Sequence, residues 1–404
     1  MQVPFFRPAI SEAEVNSVAE CIRSGWLTTG GKVKEFEERF ASYLNGKHAI
    51  AVNSCTAALH LALEALGIQR GDLVLVPTFT FAATAEVVRY FDAVPVFVDA
   101  EPTTLCMSPG ALAETLDALT RGTGVAGLKP PYGRVRAVIP VHYAGQMVEV
   151  DPILALAREH ELRVVEDAAH TLPAFYRRTP EETWRAAGTV SDVACFSFYA
   201  NKCITTGEGG MALTSDERLA ARMRVMSLHG MSKDAWNRFG SEGRWYYEII
   251  APGFKYNLTD IAGALGVVQL SRAEEFWHAR CEQAERYIAA LSGTPAFEVP
   301  RELPNRKHSW HIFALRLTAG ALRIDRAGVI EEMRKRGVTC SVHWMPLHEQ
   351  PYYRERYGYT PEQFPVAHRE WQRLISLPMF PGMTRAEQEH VIQSLMEIAH
   401  SFAA

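Results

Sequence analysis

The sequence predicts an α/β protein: a largely parallel sheet with helices on both faces, followed by a smaller C-terminal α+β part. Three observations carry this. Short apolar runs alternate with helical stretches from residue 48 to about residue 227. Several of those runs are apolar at every position, as strands covered on both faces must be. After about residue 228 the alternation stops, and fewer strand runs follow.

Taken in order, the first element is a helix over 11–24. Ser11 and Glu14 form an S-x-x-E capping box, and Gly25 ends the helix. Strands are expected at 48–53, 73–76, 95–99, 136–141, 163–166, 192–198 and 210–213. Helical segments lie between them near 56–67, 82–91, 151–160 and 216–227. Residues 229–257 are rich in Gly and aromatics, including Trp236, Phe239, Trp245 and Tyr246, and read as an ordered loop region. A long helical stretch spans 259–291. The remainder offers strand runs at 312–317 and 337–343, with helices near 325–336 and 384–402. A domain boundary falls near 250–258, giving a large α/β domain over 1–250 and a small one over 251–404.

Composition narrows the function. The chain has 404 residues, enough for about two to three domains. Its 48% hydrophobic content excludes disorder as the main state, because such a chain buries enough surface to offset ordering entropy. Lys plus Arg is 42 against 46 for Asp plus Glu, a formal net charge of −4. That balance argues against a general nucleic-acid binder, which carries a basic excess. No stretch approaches the roughly 18 apolar residues of a spanning helix, so no membrane association is expected. The N-terminus lacks the plan of a secretory signal. The seven cysteines are odd in number, and none forms C-x-x-C. A cytoplasmic protein with reduced thiols is the expectation.

Four segments could carry chemistry. The first is Phe196-Ser197-Phe198-Tyr199-Ala200-Asn201-Lys202, followed by a Thr/Gly-rich turn to Gly210. Most lysines are simply solvated. One held just past a buried strand is instead partly desolvated, which lowers its pKa and makes it a nucleophile toward an aldehyde. The second is Val164-Val165-Glu166-Asp167-Ala168-Ala169-His170. Asp167 falls at the end of a buried strand, where open α/β sheets place their ligand crevices. It either caps the next turn or faces a cation, and a protonated pyridine nitrogen suits the second role. At about 4 Å and an effective dielectric near 20, such a pair is worth roughly 4 kcal/mol before desolvation. The third is Asn53-Ser54-Cys55-Thr56, where a strand gives way to an apolar helix. Free N–H groups there, with the Ser54 and Thr56 hydroxyls, can hold a phosphate, although simple N-capping explains the same residues. The fourth is Pro77-Thr78-Phe79-Thr80-Phe81, whose aromatics either stack on a flat ring or fill the core.

Two motifs are rejected. Gly30-Gly31-Lys32 resembles the end of a phosphate loop, but the spacing fails and Val33 stands where Ser or Thr is required. His308 and His311 have no Cys or carboxylate partner at metal-ligand spacing, so no metal is expected.

Together the four segments resemble the DegT/DnrJ/EryC1/StrS family of pyridoxal-phosphate-dependent nucleotide-sugar aminotransferases. The resemblance runs from Ser24-Gly25-Trp26-Leu27-Thr28-Thr29-Gly30 and Phe36-Glu37-Glu38-Arg39-Phe40-Ala41 through those segments to Gly253-Phe254-Lys255-Tyr256-Asn257-Leu258-Thr259-Asp260. It ends with Trp310-His311-Ile312-Phe313, His343-Trp344-Met345-Pro346-Leu347-His348 and Ser376-Leu377-Pro378. It implies the fold-type I transferase architecture: a mixed, mostly parallel seven-stranded sheet and a smaller C-terminal domain. It also implies a homodimer with shared active sites.

By position, Lys202 matches the family's Schiff-base lysine, Asp167 the pyridinium partner and His170 the residue near the cofactor's phenolic oxygen. Phe81 matches the stacking aromatic. Ser54, Thr56 and Ser197 match phosphate contacts, with Cys55 offering its backbone N–H where many relatives have Gly. Asn257 or Lys255 would reach the phosphate from the neighbouring subunit. The implied substrates are L-glutamate and a keto-sugar nucleotide, with the motifs around His343 and 253–257 leaning to a 4-keto rather than a 3-keto sugar. Related sugar dehydratases carry His at the lysine position, so Lys202 speaks against that chemistry. Retention of Lys202 and Asp167 speaks against a non-catalytic regulator. The segment from Tyr176 to Val190 is longer than usual; it is either a surface excursion or a wall of the sugar site.

Overall fold

The computed structural model describes residues 1–232 and 247–404. The chain opens on two helices, α1 (Glu12–Ser24) and α2 (Gly31–Tyr43). The expected capping box is formed at α1: Ser11 Oγ caps the helix, Glu14 reaches back to the Ser11 N–H, and Gly25 ends the helix at φ 76°. Strands and helices then alternate as β1 (His48–Val52), α3 (Cys55–Ala65), β2 (Leu73–Pro77), α4 (Ala82–Arg89), β3 (Val94–Val98) and α5 (Pro109–Arg121). The series continues with β4 (Val135–Val138), α6 (Val150–Glu159) and β5 (Arg163–Asp167). Two short strands, β6 (Phe175–Tyr176) and β7 (Arg185–Ala186), precede β8 (Val193–Ser197), β9 (Gly210–Thr214) and α7 (Glu217–Ser227).

The principal sheet has seven strands in the order β1-β9-β8-β5-β4-β2-β3. Steps from β3 through β2, β4 and β5 to β8 are parallel, and β9 runs antiparallel between β8 and β1. This is the expected mixed, mostly parallel sheet. Its strands are apolar throughout because both faces are covered: β2 is buried at every residue. In β8 the alternation is visible side chain by side chain. Val193 and Cys195 join the core under α3, while Ala194 and Phe196 join the core under α2. There Phe40 meets Phe196 with ring centroids 5.0 Å apart. The carboxyl ends of β1, β2, β5 and β8 therefore open at one edge, where β9 begins.

The remainder comprises α8 (Asp260–Ser271), α9 (Ala273–Leu291), β10 (Phe297–Glu298), β11 (Arg306–Lys307), β12 (Phe313–Leu317) and α10 (Arg326–Lys335). It closes with α11 (Pro351–Tyr357), α12 (Pro365–Arg373), β13 (Leu374–Leu377) and α13 (Arg385–Ser401). Strands β10, β12 and β13 form a second, antiparallel sheet with its own core, which includes Phe313, Leu377, Val391 and the N-terminal Val3.

Several elements differ from expectation. The stretch 259–291 is two helices, because Arg272 leaves helical geometry at φ −104°, ψ 4°. Residues 337–343 form no strand; Val338 and Ser341 make single bridges to Val3 and Ser376. The partners of β12 are instead β10 and β13, the latter only four residues long. Helices α2, α5, α11 and α12 lie outside the expected set. Of the expected loop region 229–257, residues 233–246, with Trp236, Phe239, Trp245 and Tyr246, lie outside the described residues. The long segment after Tyr176 pairs β6 with β7 and with β11 in a small three-stranded sheet. Trp184 there lies under the cations of Arg177, at 4.4 Å, and Lys307, at 4.7 Å. All seven cysteines are free thiols. Among the described residues no helix is long and apolar enough to cross a membrane, and no three ligand-type side chains gather as a metal site.

Candidate active site

A cavity of about 440 Å³ opens at the carboxyl edge of the principal sheet. Ser54, Cys55, Thr56, Phe81, Asp167, His170, Ser197 and Lys202 all line it. They arrive from the ends of four strands, β1, β2, β5 and β8, as the doubly wound arrangement dictates. Asn257 does not line it. Its amide donates to Thr29 Oγ1 at 2.7 Å, and its backbone bridges Val52. Lys255 likewise lies apart, its carbonyl accepting from Asn53.

Asp167 ends β5 and is 5% exposed. Its Oδ2 accepts from Thr84 Oγ1 at 2.8 Å, and Oδ1 from the Ala169 N–H at 3.1 Å. Thr84 is itself held by Thr80 at 2.8 Å. Burial raises the carboxyl's pKa, and these donors and the nearby Lys202 offset that only in part. A buried carboxylate this short of countercharge favours a cation at its open side.

Lys202 sits in the loop that returns β8 to β9. The loop is closed by Phe198 and Gly209 backbone pairing, and by the Thr205 hydroxyl bonding to the Phe198 carbonyl. Gly207 takes a left-handed turn at φ 81° that a side chain would strain. Lys202 is half-buried. Burial pulls its pKa down, against Cys55, Asp167 and Cys203, which shifts the group toward the neutral, nucleophilic amine.

His170 Nδ1 accepts from the Ala144 N–H at 3.1 Å. The ring proton is thereby assigned to Nε2. Burial, with Lys202 and His343 nearby, holds the ring neutral by lowering its pKa well below the ordinary value. Phe81, the residue before α4, is 57% exposed and lines the cavity.

The third corner is the start of α3. Ser54 caps it, accepting from the Ala57 N–H at 3.1 Å, and the following free N–H groups make an anion seat. Gly210 presses against this seat: a Cβ there would fall 2.4 Å from the Ser54 carbonyl carbon. Ser197 ends β8 on the same edge. An anion seat, a flat apolar ring, a buried carboxylate and a depressed amine match the phosphate, ring face, ring nitrogen and aldehyde of pyridoxal phosphate.

Sequence reasoning missed several lining residues: Thr80, Tyr199, Asn201, Glu208, His311 and Trp344. His311 carried a signal in the His308/His311 pair. Its Nδ1 is buried without a partner among the described residues, and its ring lies 4.5 Å from that of His170. His308 instead stacks on Trp310, 4.1 Å between centroids.

Residues 8–396 match the family described as DegT/DnrJ/EryC1/StrS aminotransferase. The chain is 41% identical over 397 residues to the spore coat polysaccharide biosynthesis protein SpsC of Bacillus subtilis, covering 98% of this chain and 97% of that one. Among solved structures it is similar to the PLP form of the putative sugar aminotransferase Spr1654 from Streptococcus pneumoniae, at 28% identity and TM-score 0.87, covering 99% of each chain. It is also similar to S. venezuelae DesV in complex with a ketimine intermediate, at 29% identity and TM-score 0.84, covering 98% of each.

Proposed function

The chain belongs to the DegT/DnrJ/EryC1/StrS aminotransferase family, and from that premise we propose that it moves an amino group from L-glutamate to a keto-sugar nucleotide. It is a pyridoxal-phosphate-dependent sugar aminotransferase. The products of the proposed reaction are 2-oxoglutarate and an amino-sugar nucleotide, with the amine at C4. The observation that carries the reading is the meeting of Lys202 and Asp167 in one cavity, with the α3 anion seat lining the same space.

When bound, pyridoxal phosphate supplies an aldehyde that condenses with amines and a ring that absorbs the electron pair left by a broken C–H bond. The protein does the rest. Ser54, Thr56, Ser197 and the Cys55 N–H hold the phosphate. Asp167 keeps the ring nitrogen's proton in place. His170 offers its Nε2–H toward the phenolic oxygen. Phe81 covers one ring face and excludes water. The Lys202 amine would serve as the base that takes a proton from the donor's α-carbon and returns one to the former aldehyde carbon, two atoms away. A positioned base of this kind contributes about 10²–10⁴-fold. Asn257 or Lys255 serves the phosphate of a second copy in a homodimer with shared sites. Residues 1–250 form the cofactor-binding domain and 251–404 the small domain of this cytoplasmic enzyme.

The test pairs donor with acceptor. L-glutamate added to the loaded protein should convert it spectrally to the pyridoxamine form, and a panel of 3-keto and 4-keto sugar nucleotides should reverse that change. Product NMR showing a C4 amine is expected. No spectral change with glutamate, or amination only of 3-keto sugars, contradicts the proposal.

A further inference from the structure

Glu166 is the neighbour of Asp167 in β5, and strand alternation turns its side chain to the opposite face. It is 2% exposed, and both its oxygens are satisfied. Oε2 accepts from His142 Nε2 at 2.7 Å and from the Gly188 N–H at 3.0 Å. Oε1 accepts from Ser191 Oγ at 2.5 Å. Burial pushes the carboxyl pKa up, but the bonds from His142, Ser191 and Gly188 outweigh it and hold Glu166 ionised. His142 Nδ1 accepts from the Val148 N–H at 3.3 Å, so Nε2 carries the proton that faces Glu166.

The backbone of His142 begins a turn on which the cavity depends. Its N–H donates to the Asp167 carbonyl at 3.1 Å. Two residues on, Ala144, at φ 58°, gives its N–H to His170 Nδ1. The Ala144 carbonyl accepts from the Ile312 N–H at 3.2 Å, and Tyr143 Oη donates to the His343 carbonyl at 2.8 Å. The long segment that follows Tyr176 also returns here, through Gly188 and Ser191. Gly188 sits at φ 90°, and a Cβ on it would meet Phe196 at 2.9 Å and Ala194 at 3.0 Å. None of residues 176–190 lines the cavity itself.

We propose that the His142–Glu166 pair is a positioning device for the cofactor: it fixes the 142–145 turn, and through the Ala144 N–H it sets the tautomer and tilt of His170. The end of the 176–190 segment is the other half of the clamp. This rests on the reading above that His170 and Asp167 hold pyridoxal phosphate. The pair touches nothing in the cavity and acts only through the turn. Hydrogen-bond geometry, not charge, is what it supplies.

The experiment measures pyridoxal phosphate affinity and visible circular dichroism per bound cofactor. Glu166→Ala should weaken binding roughly tenfold and change the dichroism. Glu166→Gln should restore both to within about twofold, since the amide oxygen replaces Oε2 and its NH₂ faces the Ser191 hydroxyl, which can donate to Val193 instead. In a His170→Ala background, Glu166→Ala should cost less than about threefold, because the path to the cofactor is already cut. Equal losses in both backgrounds, a Gln variant as weak as the Ala variant, or a folded Ala variant that binds as the wild type each overturn the proposal. If Glu166→Ala does not fold, Glu166→Asp carries the same test, since it withdraws the carboxylate by one methylene and keeps the charge. A wild-type protein that takes up no pyridoxal phosphate would sink the underlying site assignment instead, so the two failures are distinct.

Discussion

Replacing Thr84 by valine removes one oxygen from beneath the cavity and leaves the shape almost unchanged. Thr84 is fully buried, and its hydroxyl donates to Asp167 Oδ2 at 2.8 Å while pairing with Thr80. A hydrogen bond to a charged group contributes about 1.5–3 kcal/mol net, and the orphaned Thr80 hydroxyl adds about 1 kcal/mol. The apoprotein should therefore lose roughly 2–4 kcal/mol of stability near pH 7. The loss has a pH signature. Burial already holds the folded Asp167 above its ordinary value of 3.8. Removing a donor to the charged form raises it further. An acid whose folded pKa is raised costs stability when ionised, and that cost is gone once pH falls below the unfolded value. The Thr84→Val penalty should accordingly be large well above the folded pKa and shrink as pH falls toward 3.8. Urea unfolding of both apoproteins across a pH series reads this directly. A penalty that is the same at every pH, or below about 0.5 kcal/mol at pH 7, would show that Thr84 does not support the Asp167 carboxylate.

Further outcomes follow from other contacts. Phe81→Ala should weaken pyridoxal phosphate binding about three- to tenfold while leaving urea stability nearly unchanged, because the ring is exposed in the free protein; an unchanged titration contradicts its place on the ring face. Gly210→Ala should cost about 1–3 kcal/mol and loosen the phosphate seat, since its Cβ meets the Ser54 backbone rather than a movable side chain. Calorimetric titration with pyridoxal phosphate, which should weaken, checks the second half. Glu14, bonded by Ser11, Gln269 and Arg272, is held at about 2 despite burial that pushes it up. Its depressed value stabilises the fold above 4.5, and that contribution disappears as pH falls through about 2. Glu14→Gln should thus cost roughly 2 kcal/mol at neutral pH after allowing for screening, and far less in acid, by thermal unfolding at several pH values. Mixing inactive Lys202→Ala and Asn257→Ala chains should restore glutamate conversion in hybrid dimers; no recovery would argue against a shared site.

The parts legible in the sequence were those set by local chemistry. Lys202 follows a buried strand and precedes a glycine turn, and Asp167 ends an apolar run, so both could be placed at one sheet edge from neighbouring residues alone. The helix start at Ser54 was legible for the same reason. What sequence could not give was register across the fold. Thr84 lies in the first turn of α4, and only the placement of that helix beside β5 aims its hydroxyl at Asp167. The Ala144 contact to His170 needs a non-glycine residue at positive φ, which no propensity foretells. Residues 337–343 resembled a strand, but the sheet edge was taken by β13 after a long detour, which left single bridges at Val338 and Ser341. Asn257 stands apart from the cavity of its own chain, its amide held by Thr29 through a contact that 228 positions separate in sequence.

The central claim is tested most directly by reducing the pyridoxal-phosphate-loaded protein with borohydride and mapping the modified peptide by mass spectrometry. The account predicts one stable adduct, on Lys202, abolished by Lys202→Ala in a protein that still folds. An adduct on any other residue, or none on a protein saturated with the cofactor, would contradict it.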